Sequence, residues 1–239
     1  VFAKGYVIKS LKVKFKNEAA VTDLSVNQRE WSHYFSDDSN FVKAWMFLPE
    51  DLAEKCLSGE VTRPSFELAM EQGDYSAAYH WMKSAMLRAG IQPSAGTIFN
   101  QSPWWCWIQA ENGRNVPSAC NGNNGHALLE LRIPTASLLI SEFSAWHAVI
   151  NNWFLSKTEA DEEQFEAELK AAGVTLQAGQ VVPKVFQERI CHSWDAIFDM
   201  NGLGEYWSGP MPEKMLQAVF WELTPEMIVG RVSPAPNPE

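Results

Sequence analysis

A chain of 239 residues with 46% hydrophobic and 20% charged content has enough apolar material for one packed core, which excludes a disordered polymer. A formal net charge of -10 argues against a general binder of phosphate backbones, whose affinity comes from clustered Lys and Arg. No apolar run approaches the roughly 18 residues that would cross a bilayer, so no membrane partner is expected.

Cys56, Cys106, Cys120 and Cys191 fit no disulfide-scaffold spacing, and the start Val1-Phe-Ala-Lys has neither an apolar signal region nor an initiator Met. A reducing, cytoplasmic setting is expected, with residues preceding Val1. The organisation reads as an N-terminal extension over 1–40 carrying one basic strand, a single α+β domain over 41–232, and a Pro-rich tail over 233–239. In Lys9-Ser-Leu-Lys-Val-Lys-Phe-Lys16, strand alternation puts Leu11, Val13 and Phe15 on one face and Lys12, Lys14 and Lys16 on the other. A solvated edge kept soluble by lysines is the plain reading. Contact with nucleic acid through Lys9, Lys12, Lys14 and Lys16 is the less favoured one.

Phe41-Val-Lys-Ala-Trp-Met-Phe47 reads as a strand, and Pro49 with the acids after it opens a short helix that ends before Gly59. Asp74 is placed to cap a helix whose Tyr75, Ala78, Tyr79, Met82, Ala85, Met86 and Ala89 recur at helical spacing until Gly90. Trp104-Trp-Cys-Trp-Ile-Gln109 is short and aromatic, as a buried strand would be. Strands are predicted over 127–133 and 137–140. Ser141 is then expected to cap a helix with Phe143, Trp146, His147, Ile150 and Phe154 on one face. Thr158 opens a charged helix with Phe165 and Leu169 as its apolar line, and Pro183 opens another with Phe186, Ile190, Trp194, Ile197 and Phe198. Strand signals return over 216–223 and 227–232.

The chain has no Walker A loop, no Gly-x-Gly-x-x-Gly, no His-Glu-x-x-His, no nucleophile elbow and no Cys-x-x-Cys pair. Cys120, His126, Cys191 and His192 make a zinc set only on paper, because adjacent helical residues point about 100° apart. No metal is expected. His147 on an apolar face reads first as a hydrogen-bonded core histidine, with Asn151 and Asn152 within reach, and second as a base. The eleven tryptophans build a core, or, through Trp105 and Trp107, stack a flat ring. Alternation in Gln217-Ala-Val-Phe-Trp-Glu222 places Gln217, Val219 and Trp221 on one face and Glu222 on the other. A polar residue entering a late core strand either bonds backbone or meets a ligand.

Five phrases together resemble a bacterial family known as domain of unknown function 3841: Ala78-Tyr-His-Trp-Met-Lys-Ser-Ala-Met-Leu-Arg88, the strand through Trp105 and Trp107, Leu138 to Asn151, Ser193-Trp-Asp-Ala-Ile-Phe-Asp199, and Gln217-Ala-Val-Phe-Trp221. They span about 41–232, and depart from the family pattern at Glu142, where Asp is expected, and at Leu48, where Gln is expected. The order of elements is further similar, by analogy, to ADP-ribosyltransferase-like toxins. That likeness implies a split, mainly antiparallel sheet with flanking helices and NAD held as a substrate in its cleft. It also implies a His or Arg on the first strand, a Tyr or Ser on the second, and a late-strand Glu that steadies the charged sugar. The matching places here hold Trp45 or Phe47, Trp105 or Trp107, and Gln217 or Val219.

The resemblance therefore implies a nucleotide-binding protein that either transfers ADP-ribose or cleaves an N-glycosidic bond. Gln217, Glu222 and His147 would be nearest the chemistry, and Trp45, Trp105, Trp107 and Gln109 nearest the ligand. The alternatives are a non-catalytic module that binds a protein partner, such as an immunity or host-conflict protein, and a glycosylase acting on a nucleobase in nucleic acid.

Overall fold

The computed structural model describes residues 24, 31, 35, 40–64, 75–94, 101–111, 113–117, 125–175, 182–199, 203 and 209–232. The basic segment Lys9 to Lys16 and the tail 233–239 lie outside them. In chain order the described elements are β1 (Phe41–Pro49), α1 (Glu50–Leu57), α2 (Ser76–Arg88), β2 (Trp104–Gln109), β3 (His126–Pro134) and β4 (Leu139–Glu142). Next come α3 (Phe143–Ile150), α4 (Glu159–Ala171), α5 (Lys184–Ser193), β5 (Leu216–Phe220) and β6 (Ile228–Arg231).

The strands form one six-stranded sheet in the order β4-β5-β2-β1-β3-β6, and every described pairing is antiparallel. The α+β class follows. The sheet is continuous, yet its two halves meet narrowly. β1 pairs β3 along its whole length, from Phe41↔Pro134 to Pro49↔His126, whereas β1 and β2 are in register at Trp45↔Trp107. The strands predicted over 127–133 and 137–140 do not pair with each other. Pro134 and the 3-10 turn Thr135–Ser137 end β3, and β4 then pairs with β5 in the other half.

Strand alternation sorts the two cores. Val42, Ala44, Met46 and Leu48 of β1, Trp104, Cys106 and Ile108 of β2, and Ala127, Leu129, Leu131 and Ile133 of β3 fill one face. Trp31, Phe35 and residues Ala53 and Cys56 of α1 cover it. On the opposite face, Leu139, Val219 and Trp105 meet a helical roof built from α2, α3, α4 and α5. Leu24 also packs into this second core. The roof lies over the β4-β5-β2 half, and on the β1-β3 half Lys43, Phe47 and Glu130 stay partly exposed and Arg132 exposed.

Helix ends follow local chemistry. Gly90, at φ +79, closes α2 while the Ile91 N–H donates to the Met86 carbonyl. Ser141 is not the cap of α3: it belongs to β4, and the Glu142 side chain accepts from the Ala145 N–H instead. The same helix stops at Ile150, because Asn152 adopts φ 56 and turns the chain, so Phe154 lies beyond it. The helix after Pro183 tightens to 3-10 over Trp194–Phe198, where Asp195 pairs with Arg88 of α2. Strand β5 ends at Phe220, so Glu222 falls outside it.

Leu131 is fully buried in the first core and Val229 is 60% exposed. Leu131→Ala should lower the free energy of unfolding by ~2–5 kcal/mol, read by urea denaturation, and Val229→Ala by less than ~0.5 kcal/mol.

Candidate functional site

Register carries one line of side chains across the sheet. Ser141 lies opposite Gln217, Gln217 opposite Trp107, Trp107 opposite Trp45, and Trp45 opposite Glu130. Directly opposed residues share a face, so these five stand in a row ~19 Å long, at about 4.8 Å per strand. The row runs from beneath the helical roof to the open half of the sheet and crosses the narrow β1–β2 junction at its centre.

Its polar atoms are unusual. The indole Nε1 of Trp45, the Nε2 of Gln217 and the hydroxyl of Ser141 are buried and have no hydrogen-bond partner among the described residues, and the Trp105 Nε1 beside them is in the same state. Each such atom costs about 1–3 kcal/mol relative to a satisfied one. Gln217 is 6% exposed and Trp45 1%. Trp107 and Glu130 are part-exposed and Trp45 between them is buried, so the row reaches the surface at Trp107 and at its β3 end.

Aromatic rings mark the edge of the roof. Trp107 meets Phe143 of α3 with ring centroids 4.8 Å apart, and Phe143 meets His147 at 5.0 Å, both edge-on. Trp105 lies deeper, 4.9 Å from Trp146 and 5.8 Å from Tyr79. Burial, then the neighbouring Tyr75, holds the Tyr79 hydroxyl above its ordinary pKa.

His147 is exposed rather than buried, which corrects the apolar face read from its spacing. Its Nδ1 sits 3.2 Å from the Phe143 carbonyl and 3.3 Å from that of Ser144. The expected amide partners lie elsewhere: Asn151 donates to the His147 backbone carbonyl, and Asn152 pairs with Gln187. Gln109 is not at the row either. Both hydrogens of its amide are taken by backbone carbonyls, Met211 and Lys214, each at 2.8 Å, because a register shift after Trp107 re-aims it.

Glu222 lies up to ~17 Å along the chain from Gln217, at about 3.3 Å per residue. It is tied to Arg63 at 2.8 Å and to Ser94. Burial opposes its charge, but the hydrogen bonds from Arg63 and Ser94 outweigh it and hold the carboxyl below its ordinary value. Trp45, Trp107 and Gln217 are thus brought together, Trp105 flanks them, His147 is one ring removed, and Gln109 and Glu222 serve the framework. Among the described residues, no group of three His, Cys, Asp or Glu side chains is placed to hold a metal ion.

Sequence reasoning missed Ser141 and Glu130. The signal for Glu130 was present: alternation in β3 puts Leu128, Glu130 and Arg132 on the face opposite Ala127, Leu129, Leu131 and Ile133. A separate groove of about 690 Å³, lined by Trp153, Phe154, Glu162, Phe165, Glu166 and Leu169 among others, shares no residue with the row.

A family model for a domain of unknown function, DUF3841, matches residues 67–229. The chain belongs to that family. All five phrases quoted above fall inside the DUF3841 match, as do Ser141, Gln217, Trp107 and Glu130 of the row. Trp45 comes from ahead of it, so the row combines the DUF3841 region with a strand supplied by the preceding segment. No curated protein and no solved structure gives a significant match to the chain.

A carboxyl whose pKa is depressed in the fold contributes stability that is complete above its ordinary value, near 4.5, and is lost as pH falls through the depressed one. Glu222→Gln should lower the melting temperature at neutral pH, with a gap from wild type that is constant above about pH 4.5 and closes below it. Thermal melts across pH 2–8 read this, and a gap that persisted in acid would show that the loss comes from the fit of the amide and not from the missing carboxylate charge.

Proposed function

We propose that the chain binds a nucleotide, with NAD as the ligand to test first, over the row Ser141–Gln217–Trp107–Trp45–Glu130. The observation that carries this reading is the line-up, in direct cross-strand register, of the Trp45 and Trp107 indoles with Gln217, in which the Trp45 Nε1 and the Gln217 Nε2 are buried donors that have no acceptor among the described residues. Flat rings offer stacking area at small rotamer cost, and unpaired N–H groups call for a ligand rich in acceptors, as a nucleotide is. The analogy to ADP-ribosyltransferase-like folds supports the same place. It expects ligand groups from the first, second and late strands of a sheet split at its centre, and Trp45, Trp107 and Gln217 stand on β1, β2 and β5 at the narrow junction.

Transfer of ADP-ribose or cleavage of an N-glycosidic bond would need negative charge beside the sugar. A Gln217 amide cannot supply it, Glu222 is bound to Arg63 and Ser94 beyond the strand, and Glu130 stands on the far side of Trp45. Binding without the late-strand carboxylate is therefore the reading these residues support best.

A second reading, a module that docks a protein partner, is favoured by one observation: Trp153 is 57% exposed on the acidic-rimmed groove between the end of α3 and α4.

Titration with NAD should change the intrinsic tryptophan fluorescence, because Trp45 and Trp107 line the row. Gln217→Ala should weaken the apparent affinity about tenfold, roughly one lost hydrogen bond to a polar ligand. Wild-type protein that shows no response to millimolar NAD, by fluorescence and by calorimetry, would overturn the proposal.

A further inference from the structure

Helix α4 carries six acids and one Lys, a balance of -5 over its 13 residues. Its two large apolar residues, Phe165 and Leu169, are buried and line the groove of about 690 Å³ together with Trp153 and Phe154. Phe154 stacks on Phe165 with ring centroids 4.1 Å apart, whereas Trp153 is 57% exposed. Glu162 and Glu166 line the same groove at an interval of four residues, and Lys170 follows after four more. An exposed indole on an apolar groove with an acidic flank is a surface suited to a covering segment that is apolar on one side and basic on the other.

The chain supplies such a segment. Lys9-Ser-Leu-Lys-Val-Lys-Phe-Lys16 holds four lysines and no acid, and alternation puts Leu11, Val13 and Phe15 on the face opposite Lys12, Lys14 and Lys16. Alternate residues of an extended segment recur about every 6.6 Å, close to the rise of about 6 Å that separates helix positions four apart, such as Glu162 and Glu166. Lysine stems are long enough to run past the apolar side chains and carry their ammonium groups to a charged rim. The attachment point is also suitable. Leu24 is 1% exposed in the core that holds Phe165 and Leu169, and the eight residues from Lys16 to Leu24, by subtraction, can span up to ~29 Å. A tethered segment meets its site at an effective concentration in the millimolar range, which a separate basic peptide would have to match in solution.

We propose that the segment Lys9–Lys16 docks in this groove, with Leu11, Val13 and Phe15 over Phe154, Phe165 and Trp153 and the alternate lysines toward Glu162 and Glu166. The inference is independent of the nucleotide reading, because the groove shares no residue with the row. It gives the N-terminal extension, which lies ahead of the DUF3841 match, an intramolecular partner inside that match.

Zero-length carbodiimide cross-linking of the full chain, mapped by mass spectrometry, tests this. Wild type should give links from Lys12, Lys14 or Lys16 to Glu162 or Glu166. Phe15→Asp and Trp153→Ser should each lower their yield at least about fivefold, since either removes apolar burial from the contact. Wild type without these links, or with a yield that neither substitution lowers, would overturn the proposal and leave the groove open to a separate partner. An equal mixture of isotope-labelled and unlabelled chains separates a second source: links that join labelled to unlabelled chains would make a second copy the occupant and would equally overturn docking within one chain. Should Trp153→Ser fail to fold, Phe15→Asp, placed outside the described residues, supplies the same comparison.

Discussion

The pairing of β1 with β2 at Trp45↔Trp107 is the contact on which the rest of the molecule depends. It joins two three-stranded halves, β4-β5-β2 and β1-β3-β6, whose internal pairings are otherwise independent. Antiparallel register is a strict constraint, since a slip by one residue would turn every side chain of a strand to the other face. Here it forces Gln217, Trp107 and Trp45 into one line although they lie 62 and 110 residues apart in the chain, by subtraction of their positions. Such a slip would also drive Val42, Ala44, Met46 and Leu48 out of the core beneath.

The two faces of the sheet solve different problems. One is covered throughout, by α1 and by Trp31 and Phe35, and carries the apolar residues of every long strand. The other is roofed over one half only, and along the row Ser141 and Gln217 are buried, Trp107 and Glu130 are part-exposed, and Trp45 is buried between those two. Polar groups at that boundary escape both solvents: they are too buried for water and too far from backbone acceptors. Trp45, Gln217, Ser141 and Trp105 each hold an atom without a partner among the described residues, whereas Gln109 places its amide nitrogen on two backbone carbonyls.

Charges on the framework behave differently from those at the row. Arg63 with Glu222 and Arg88 with Asp195 tie segments distant in sequence, and Arg189 with Glu168 ties the consecutive helices α5 and α4, Arg189 also lying over the Phe154 and Phe165 rings. These are fixing contacts, made by a planar guanidinium whose donors meet a carboxylate in a fixed fork. Lys43 at the open half is instead part-exposed and bonds Glu130 of the neighbouring strand.

Most of the elements were legible in the sequence because their signals are local. Tyr75 to Gly90 has helical spacing and a glycine stop, Thr158 caps an acidic first turn, and Trp104 to Gln109 is a short aromatic run, and each forms the predicted element. The limits that moved did so for equally local reasons that lie outside periodicity: the φ of Asn152, the carboxylate of Glu142 in place of the Ser141 hydroxyl, the tightening at Trp194. The face on which Gln217 stands, and the company of Trp221 and Val219 there, follow from alternation alone. Which strands are neighbours does not, since strand pairing is set by long-range packing of the covered face and not by any residue in the pair. Sequence therefore determined the class, the helices and the presence of a lone polar residue in a late strand. Only the tertiary structure decided that this amide faces Trp107, that Glu130 and Ser141 complete the row, and that Glu222 and Gln109 belong to the framework. Alternation fixes a side chain's face, but its neighbour across the sheet is chosen by the register of a different strand.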